Sequence, residues 1–364
     1  MSTTLAVYPL IIVFFRYKVN ETFYSKHEWV LPYLVTSGLA LYYIGKRGAD
    51  VPILVVSAVL AWATYHYQIE APYFKPVKMD GKICIVTGSS SGIGLATAEE
   101  LVRMGARVIL ACRSEKKALA AREEILSRCK GCSGTAEFMQ LDLASFKSVR
   151  NFAAAFKALG VPLHVLVNNA GVMQNCRKVT EDGFELTMQA NYLGHFLLTN
   201  LLLDCLKKAP KARVVNISSS MHWGEKQFDF DDMQGEKHYA MFRAYEQSKL
   251  AQLLSTMELD RRLQGTNVTV NAVHPGSVCT DVTRDFNVYL RWVEDYTQPL
   301  QHCLRKSRKA GAYTALYCAV SPEVEGMSGK YFWNCREELR SPLVDDRAVQ
   351  ARLWEVTEKL VGSS

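Results

Sequence analysis

The order of hydrophobic and polar positions divides the chain into two parts of different character. The first 75 or so residues contain three charge-free apolar runs, at residues 2–15, 29–45 and 51–69. From Lys82 onward, short apolar runs of strand length alternate with amphipathic segments of helix length. We predict a hydrophobic region over residues 1–75, one α/β domain over 80–340, and a C-terminal helix and tail over 341–364.

The N-terminal runs predict attachment to a membrane. Runs 29–45 and 51–69 approach the roughly 20 residues that cross a bilayer, and aromatic residues lie near their ends, where the bilayer interface would be. Run 2–15 is shorter and fits an interfacial segment, a signal-like segment or a tilted span. The absence of a convincing small-residue cleavage site favours an anchor. The alternative is that all three runs are buried helices of a soluble subdomain, and basic residues on both sides leave the orientation open.

Seven apolar runs predict the strands of a parallel sheet. The first, Ile83-Cys84-Ile85-Val86, is continuously apolar, as is typical of a strand that is buried on both faces. The others lie at 108–111, 136–141, 165–167, 213–217, 268–273 and 330–333. Helices are predicted to about residue 104, over about 114–128 and 145–159, from near Asp182, and around Tyr245 to about Leu263. This alternation predicts an α/β fold with a doubly wound, Rossmann-type parallel sheet whose ligands bind at the carboxyl ends of the strands.

Composition narrows the class of protein. A net charge of +7 without a dense basic run gives no indication of nucleic-acid binding, and it suits anionic membrane surfaces or phosphorylated cofactors. The ten cysteines are scattered, as in a reduced protein that faces the cytosol. Cys129 and Cys132 have the spacing of a metal or redox pair, but no second pair completes a zinc site, so we predict a loop and no metal.

Candidate chemistry begins with Tyr245 and Lys249, which lie four residues apart and therefore on one face of a helix. An ammonium close to a phenol favours the phenolate, which lowers the pKa of a general acid/base for alcohol and carbonyl chemistry. An exposed tyrosine and a solvated lysine would show the same spacing. The glycines of Thr87-Gly88-x-x-x-Gly92-x-Gly94 lie between a predicted strand and helix, where a backbone turn can approach a pyrophosphate.

Taken together, the motifs resemble the short-chain dehydrogenase/reductase family over about residues 80–360. The chain is most similar to the microsomal retinol-dehydrogenase-like branch and to the related member encoded on the X chromosome. The N-terminal 75 residues are longer and more hydrophobic than the single anchor common in that branch. The motifs that carry the resemblance are the glycine turn, Asn168-Asn169-Ala170-Gly171, Asn191, Ser219, Tyr245-x-x-x-Lys249 and Pro275-Gly276.

The resemblance implies four catalytic residues. Tyr245 would exchange the hydroxyl proton, and Lys249 would lower the pKa of Tyr245 and bind the nicotinamide ribose. Ser219 would hold the substrate oxygen, although its neighbours Ser218 and Ser220 remain alternatives. Asn191 would position a water that links Lys249 to solvent, and its alternative is a core amide that kinks a helix.

The resemblance also implies a nicotinamide dinucleotide site. Its residues are Gly88, Ser90, Gly92, Ile93, Gly94, Arg113, Asp142, Asn169, Tyr245, Lys249, Pro275, Gly276 and Thr280. Arg113 follows the second strand, where NAD-selective enzymes usually place an acid, and a guanidinium suits the 2′-phosphate of NADP(H). We therefore predict NADP(H) as the cofactor, with an exposed arginine at a helix start as the alternative reading of Arg113.

The substrate is expected to be lipophilic. About 25 residues separate Ser219 from Tyr245, and this insertion is rich in apolar and aromatic side chains. A second aromatic segment, residues 286–293, reads as a lid. An apolar lid beside a membrane anchor favours a retinoid, a polyisoprenoid or a sterol, handled by an enzyme of lipid metabolism at the endoplasmic reticulum with its catalytic domain facing the cytosol.

Other interpretations predict different properties. A catalytically inactive membrane scaffold on the same fold would have lost some of the four catalytic residues, and a soluble reductase of small polar carbonyls would need no membrane. His222, in the insertion, is expected to have a structural role in preference to contacting substrate. The resemblance leaves open a homodimer that pairs through the long helices carrying Asn191 and Tyr245.

Overall fold

The computed structural model describes residues 74–278 and 306–362. The chain separates into two compact units, Met1–Thr64 and Tyr65–Ser364, and all described residues belong to the second. The N-terminal apolar runs, Thr280 and the expected lid at 286–293 lie outside the described residues. Within residues 74–278 and 306–362, no helix is both long and apolar enough to cross a membrane.

An eight-stranded sheet forms the centre of the second unit. The strands are β1 (Ile83–Thr87), β2 (Arg107–Cys112), β3 (Thr135–Gln140), β4 (Val165–Asn168), β5 (Ala212–Ile217), β6 (Val268–His274), β7 (Lys330–Trp333) and β8 (Arg336–Glu337). Their spatial order is β3-β2-β1-β4-β5-β6-β7-β8. Only β8 runs antiparallel, next to β7. The order reverses between β1 and β4, and the crevice at such a reversal is where ligands bind in open α/β sheets.

Helices cover both faces of the sheet. They are α1 (Gly92–Arg103), α2 (Glu115–Arg128), α3 (Phe146–Ala158), α4 (Leu186–Met188, Gln189–Leu193 and Gly194–Lys208 in succession), α5 (Met241–Arg262), α6 (Arg308–Val320) and α7 (Arg347–Val361). Within β1, Ile83 and Ile85 join the core cluster that includes α3, α4, α5 and α7. Cys84 and Val86 join the cluster that includes α1, α2 and α6. Alternating side chains therefore fill two cores, which explains why the strand is apolar from Ile83 to Val86.

The doubly wound sheet and all seven strands that were expected from the sequence are confirmed. Helix α6 and strand β8 were not anticipated. Residues of α6 are small and buried around most of the helix, so the segment lacks a clear amphipathic period. The long helix expected from near Asp182 instead begins at Leu186, because the Glu185 carboxylate accepts the free N–H groups of Thr187 and Met188.

Candidate active site

Tyr245 and Lys249 lie one turn apart on α5, at the carboxyl edge of the sheet. Lys249 Nζ is 5.4 Å from the centroid of the Tyr245 ring. The Lys249 side chain passes inward, and its ammonium donates hydrogen bonds to the carbonyl of Ile217 at 2.8 Å and to Gln252 Oε1 at 3.0 Å. The carbonyl at the end of β5 thus ties the lysine to the sheet.

The three serines after β5 have different surroundings. Ser219 caps a short 3₁₀ turn (Ser220–Trp223) by accepting from Met221 N at 3.2 Å, and its hydroxyl is near enough to the Tyr245 phenol to lower the pKa of that phenol. Ser218 is buried and donates to the carbonyl of Lys249 at 2.9 Å. Ser220 is exposed. Of the three, Ser219 is therefore the one whose hydroxyl meets the tyrosine, while Ser218 fastens α5 to the end of β5.

The effect expected of Lys249 on Tyr245 differs from what the structure shows. Burial raises the pKa of the Tyr245 phenol to about 12, and the nearby Ser219 hydroxyl opposes this only in part. Burial also lowers the pKa of Lys249 to about 7. The lysine is therefore only partly charged near neutral pH, and its donors face Ile217 and Gln252. The spacing of Tyr245 and Lys249 predicts a full ammonium beside the phenol, but it does not include the cost of removing both groups from solvent.

Asn191 lies in the π-helical turn Gln189–Leu193 of α4 and is fully buried. Its side chain accepts from Val172 N at 2.8 Å and donates to Val172 O at 3.0 Å and to Ser248 Oγ at 3.0 Å. A Cβ placed on Gly171 would lie 3.6 Å from Asn191 Oδ1 and 3.7 Å from Lys249 Nζ. The Asn191 amide and the Lys249 ammonium therefore lie on the same side of Gly171.

The glycine turn between β1 and α1 packs tightly against the loop after β4. Gly88 has φ of +66°, and a Cβ on Gly94 would lie 2.5 Å from the carbonyl oxygen of Gly88 and closer still to Asn169 Nδ2. Asn169 Nδ2 donates to the carbonyl of Thr87 at 2.8 Å, and Thr87 Oγ1 accepts from the backbone N–H groups of Asn169 and Ala170. Only glycine fits at position 94, so the turn stays narrow and its backbone is open to a ligand.

The other expected cofactor residues lie around the same edge, with Thr280 outside the described part of the chain. Arg113 is exposed and follows β2 directly. Asp142 follows β3 and is half-buried, and its carboxylate accepts from Ala144 N at 3.0 Å. Ser90 and Ile93 are half-buried in the glycine turn. Pro275 and Gly276 follow β6, where the buried Lys306 side chain packs beside Gly276 and bonds to Asn334.

The insertion between Ser219 and Tyr245 only partly matches the apolar cover that was expected. Phe228 is buried and packs edge-to-face on Phe230 at 4.9 Å, within the core cluster of α4 and α5. Trp223 and Phe242 are exposed, at 42% and 52%. The insertion therefore extends the core with one pair of aromatic rings and presents two others to solvent on the segments that carry Ser219 and Tyr245.

His222 holds the serine turn in place. It is fully buried, its Nδ1 lies 2.6 Å from the carbonyl of Ser219, and its Nε2 accepts from Ser341 N at 3.2 Å. The ring also packs edge-to-face on Tyr331. Nδ1 must donate and Nε2 must accept, so the imidazole is neutral, and burial lowers its pKa to about 4. These contacts fit the structural role that was expected for this residue.

We expect the free energy of unfolding to fall as the pH falls from about 6.5 towards 4. The folded-state pKa of His222 lies below the value of about 6.5 in an unfolded chain, so the unfolded state takes up the proton first. His222→Leu should be less stable at pH 7.5 by about 1–3 kcal/mol, because the Ser219 carbonyl and the Ser341 N–H lose their hydrogen-bond partner. Its stability should fall less steeply in acid, by up to about 1.4 kcal/mol per pH unit. Urea unfolding at several pH values measures both, and the exposed His238→Leu is the control. An unchanged acid slope in His222→Leu would contradict the assignment.

Two side chains at the site, His195 and Gln252, were not anticipated from the sequence. Thr87 Oγ1 is 2.9 Å from His195 Nε2, and His195 Nδ1 is 2.9 Å from the carbonyl of Asn191, so His195 joins the glycine turn to the π-helical turn. Gln252 accepts the Lys249 hydrogen bond. Its position three residues after Lys249 on a helix was a usable signal. Nothing in the local sequence pairs Thr87 with His195, because they are 108 residues apart.

The chain is similar to known proteins over the part that carries these motifs. Residues 82–289 match the family model for short chain dehydrogenases. Human retinol dehydrogenase 14 is 44% identical over 299 residues, which cover 79% of this chain and 88% of the relative. Mouse retinol dehydrogenase 12 is 45% identical over 287 residues with the same coverage.

Solved structures show the same fold. A crystal structure of an uncharacterized protein from Mycobacterium paratuberculosis has a TM-score of 0.64 and 32% identity, and the match covers 80% of this chain and 98% of that one. A structure described as an NAD(P)-dependent gluconate 5-dehydrogenase from Beutenbergia cavernae, with bound NADP at low occupancy, has a TM-score of 0.55 and 25% identity. That match covers 71% of this chain and 96% of the other.

Proposed function

The chain belongs to the short-chain dehydrogenase/reductase family, and we propose that it is a membrane-associated, NADP(H)-dependent oxidoreductase that interconverts a lipophilic alcohol and its aldehyde or ketone. The observation that carries the proposal is that the Ser219 hydroxyl acts on the Tyr245 phenol, with Lys249 one turn away and the glycine turn at the same edge of the sheet. These groups come from three separate segments, and a chain without catalytic function has no need to bring them together.

The glycine turn supports a bound dinucleotide. The space that a Cβ would fill at Gly94 is already taken by the Gly88 carbonyl and Asn169, so the backbone of the turn has no side chain between it and a pyrophosphate. The turn leads into α1, whose first N–H groups favour an anion. Gly88, Ser90, Gly92, Ile93 and Gly94 would hold the pyrophosphate. Asp142 would meet the adenine, and Asn169, Pro275, Gly276 and Thr280 would line the nicotinamide half.

When it is bound, the dinucleotide supplies the hydride that reduces the carbonyl carbon. Tyr245 Oη donates the proton to the carbonyl oxygen, and the Ser219 hydroxyl holds that oxygen by a hydrogen bond. Lys249 would bind the cofactor ribose and would restore the proton of Tyr245. Asn191 orders the route by which Lys249 regains a proton from solvent. Since Tyr245 has a raised pKa, its phenol is protonated near neutral pH, whereas the lowered pKa of Lys249 leaves that amine only partly protonated.

The preference for NADP(H) rests on Arg113. Its guanidinium is exposed at the end of β2, and the described part of the chain offers it no ion-pair partner, so it is free to bind a 2′-phosphate. The solved relative with bound NADP is consistent with this choice. Cytosolic NADP is kept mostly reduced, which makes carbonyl reduction the net direction that we propose.

Arg113→Ala is expected to lower the selectivity for NADPH over NADH by roughly 10- to 100-fold. The loss corresponds to the roughly 1.5–3 kcal/mol of a hydrogen bond to a charged group, and it should fall on NADPH alone. Titration of both cofactors by fluorescence measures the change. Lys130→Ala removes the same charge from an exposed site beyond the end of α2 and should not alter the ratio. If Arg113→Ala left the ratio unchanged, we would abandon NADP(H) selectivity through this residue.

The lipophilic substrate is supported by the relatives and by the exposed rings. The curated relatives are named retinol dehydrogenases. Trp223 and Phe242 lie on the segments that carry Ser219 and Tyr245, where an apolar substrate would gain contacts. We propose a retinoid, a polyisoprenoid or a sterol, drawn from the membrane to which the N-terminal runs attach the chain. We place that membrane at the endoplasmic reticulum, with the catalytic domain facing the cytosol.

Oxidation of NADPH by membranes that contain the protein tests this proposal. The substrates are all-trans-retinal, a polyisoprenoid aldehyde, a ketosteroid and a small polar carbonyl. Turnover of one lipophilic substrate would establish the substrate class. Turnover of only the small carbonyl would favour a reductase of polar compounds, and NADPH binding without turnover would favour a scaffold on the same fold.

A further inference from the structure

Gln252, which lies three residues after Lys249 on α5, is the side chain that accepts a hydrogen bond from the lysine. It is 3% exposed, and its Oε1 accepts from Lys249 Nζ at 3.0 Å. An ammonium can only donate hydrogen bonds, so the amide oxygen must face the lysine and the amide nitrogen must point away from it. The hydrogen bond with Lys249 therefore determines which end of the Gln252 amide faces the lysine.

A small polar cavity lies behind the glutamine. Its volume is about 20 Å³, and its lining includes Asn168, His195, Asn216, Gln252, Ser255 and Trp354. Gln252 Nε2 and Asn168 Oδ1 are buried there without a hydrogen-bond partner among the described residues. The amide nitrogen of Asn168 already donates to Thr199 and Asn216, so its oxygen is the group left over. A buried donor and a buried acceptor therefore share one cavity.

We infer that Gln252 is a positioning residue for Lys249, and that an ordered water in this cavity joins the Gln252 amide to Asn168 at the end of β4. The water accepts from Gln252 Nε2 and donates to Asn168 Oδ1. Its second proton can go to Ser255, whose hydroxyl donates to the Gln252 carbonyl and so retains lone pairs. Three hydrogen bonds are typical of a buried water, and about 10–15 Å³ is enough to hold one. The water bridge anchors Gln252 to the end of β4 and thereby fixes the position of the Lys249 Nζ atom that Gln252 binds.

A neutral acceptor has a specific consequence for the lysine. The titratable groups that face Lys249 are Tyr245 on its own helix and His195 on α4. Burial alone lowers the pKa of Lys249, and no carboxylate of the described residues offsets it. Gln252 therefore holds the Lys249 amine in place by a hydrogen bond, and as a neutral group it lets the lysine lose its proton. A carboxylate at this position would lock the lysine in the charged form. The part of the inference that concerns turnover rests on the proposed function.

Two substitutions separate positioning from simple packing. Gln252→Leu removes the acceptor and should shift the alkaline limb of the pH profile of kcat to lower pH by about one unit. Gln252→Glu supplies an anion and should shift the same limb to higher pH. A residue with only a structural role would lower kcat in both variants without moving the limb, and that result would overturn the inference.

A second measurement needs neither cofactor nor substrate. The pKa of Lys249 is about 7 in the folded chain and about 10.4 in an unfolded one, so stability rises with pH between these values. Gln252→Leu weakens the charged form most. The Tm difference from wild type should therefore be roughly 2–4 °C larger at pH 6 than at pH 9 for the full chain in detergent.

The control is Gln350→Leu, which removes a buried glutamine whose amide donates to Val344 at 2.7 Å, with no titratable partner. Its Tm loss should be the same at both pH values. An equal loss for Gln252→Leu at both would reject the positioning role. If wild-type protein reduces no carbonyl, the proposed function fails, while the Tm series still decides the role of Gln252. A crystal structure should contain a water bonded to both Gln252 and Asn168, and an empty cavity there would reject the bridge.

Discussion

Tyr245→Phe is expected to abolish NADPH-dependent carbonyl reduction while NADPH still binds. The substitution removes only the phenolic hydroxyl, whose pKa the nearby Ser219 hydroxyl lowers, and leaves the ring in place. Loss of a general acid costs about 10²- to 10⁴-fold in rate. Activity is measured on the lipophilic substrate that wild-type membranes turn over, and NADPH binding by fluorescence.

Tyr239→Phe is the matched control. Its hydroxyl donates to the carbonyl of Gln174 at 2.8 Å in the insertion, and its removal deletes the same atom from the same domain. This variant should keep most of the wild-type rate. If Tyr245→Phe retained more than about a tenth of the wild-type rate, Tyr245 would not be the proton donor.

Gly94→Ala is expected to weaken cofactor binding and to destabilise the fold. The new Cβ would lie 2.5 Å from the Gly88 carbonyl oxygen and would collide with the Asn169 amide that braces Thr87. Relief requires the turn to open. We expect a stability loss of about 1–3 kcal/mol, as for overpacking elsewhere in protein interiors. NADPH affinity should fall by at least about tenfold, since the phosphate contacts depend on the narrow turn.

Gly131→Ala provides the comparison. Gly131 has φ of +84°, but a Cβ there has no neighbour within 4 Å. The variant should therefore bear only the cost of the backbone conformation, about 1 kcal/mol, and bind NADPH as wild type does. Urea unfolding and fluorescence titration distinguish the two variants. Normal NADPH binding by Gly94→Ala would mean that the turn between β1 and α1 does not form the pyrophosphate site.

The sequence predicted much of the site because its residues belong to short motifs at strand ends. Parallel strands place their carboxyl ends at one edge, so Gly88, Asn169, Ser219 and Gly276 were expected together from order alone. The same reasoning could not choose among the three serines. That choice depends on which hydroxyl faces α5, and the local sequence around all three is nearly the same.

Electrostatics was the point at which the sequence argument was wrong. Spacing placed Lys249 beside Tyr245, and a charged lysine would have lowered the pKa of the phenol. In the fold Lys249 is buried and Tyr245 is half-buried, and this loss of solvent raises the pKa of Tyr245 and lowers that of Lys249. Desolvation acts on each group through every atom packed around it, and no motif encodes that sum.

The sequence by itself determined the doubly wound sheet, the family, and which candidate functional residues follow each strand. These follow from apolar runs and from spacing within a few residues, which the chain carries locally. Only the tertiary structure decided that Ser219 meets Tyr245, that Gln252 holds Lys249, and that Thr87 bonds to His195. Hydrogen bonds have a reach of about 3 Å. Contacts of that precision, made between distant segments or fixed by side-chain rotamers, depend on how the whole core packs.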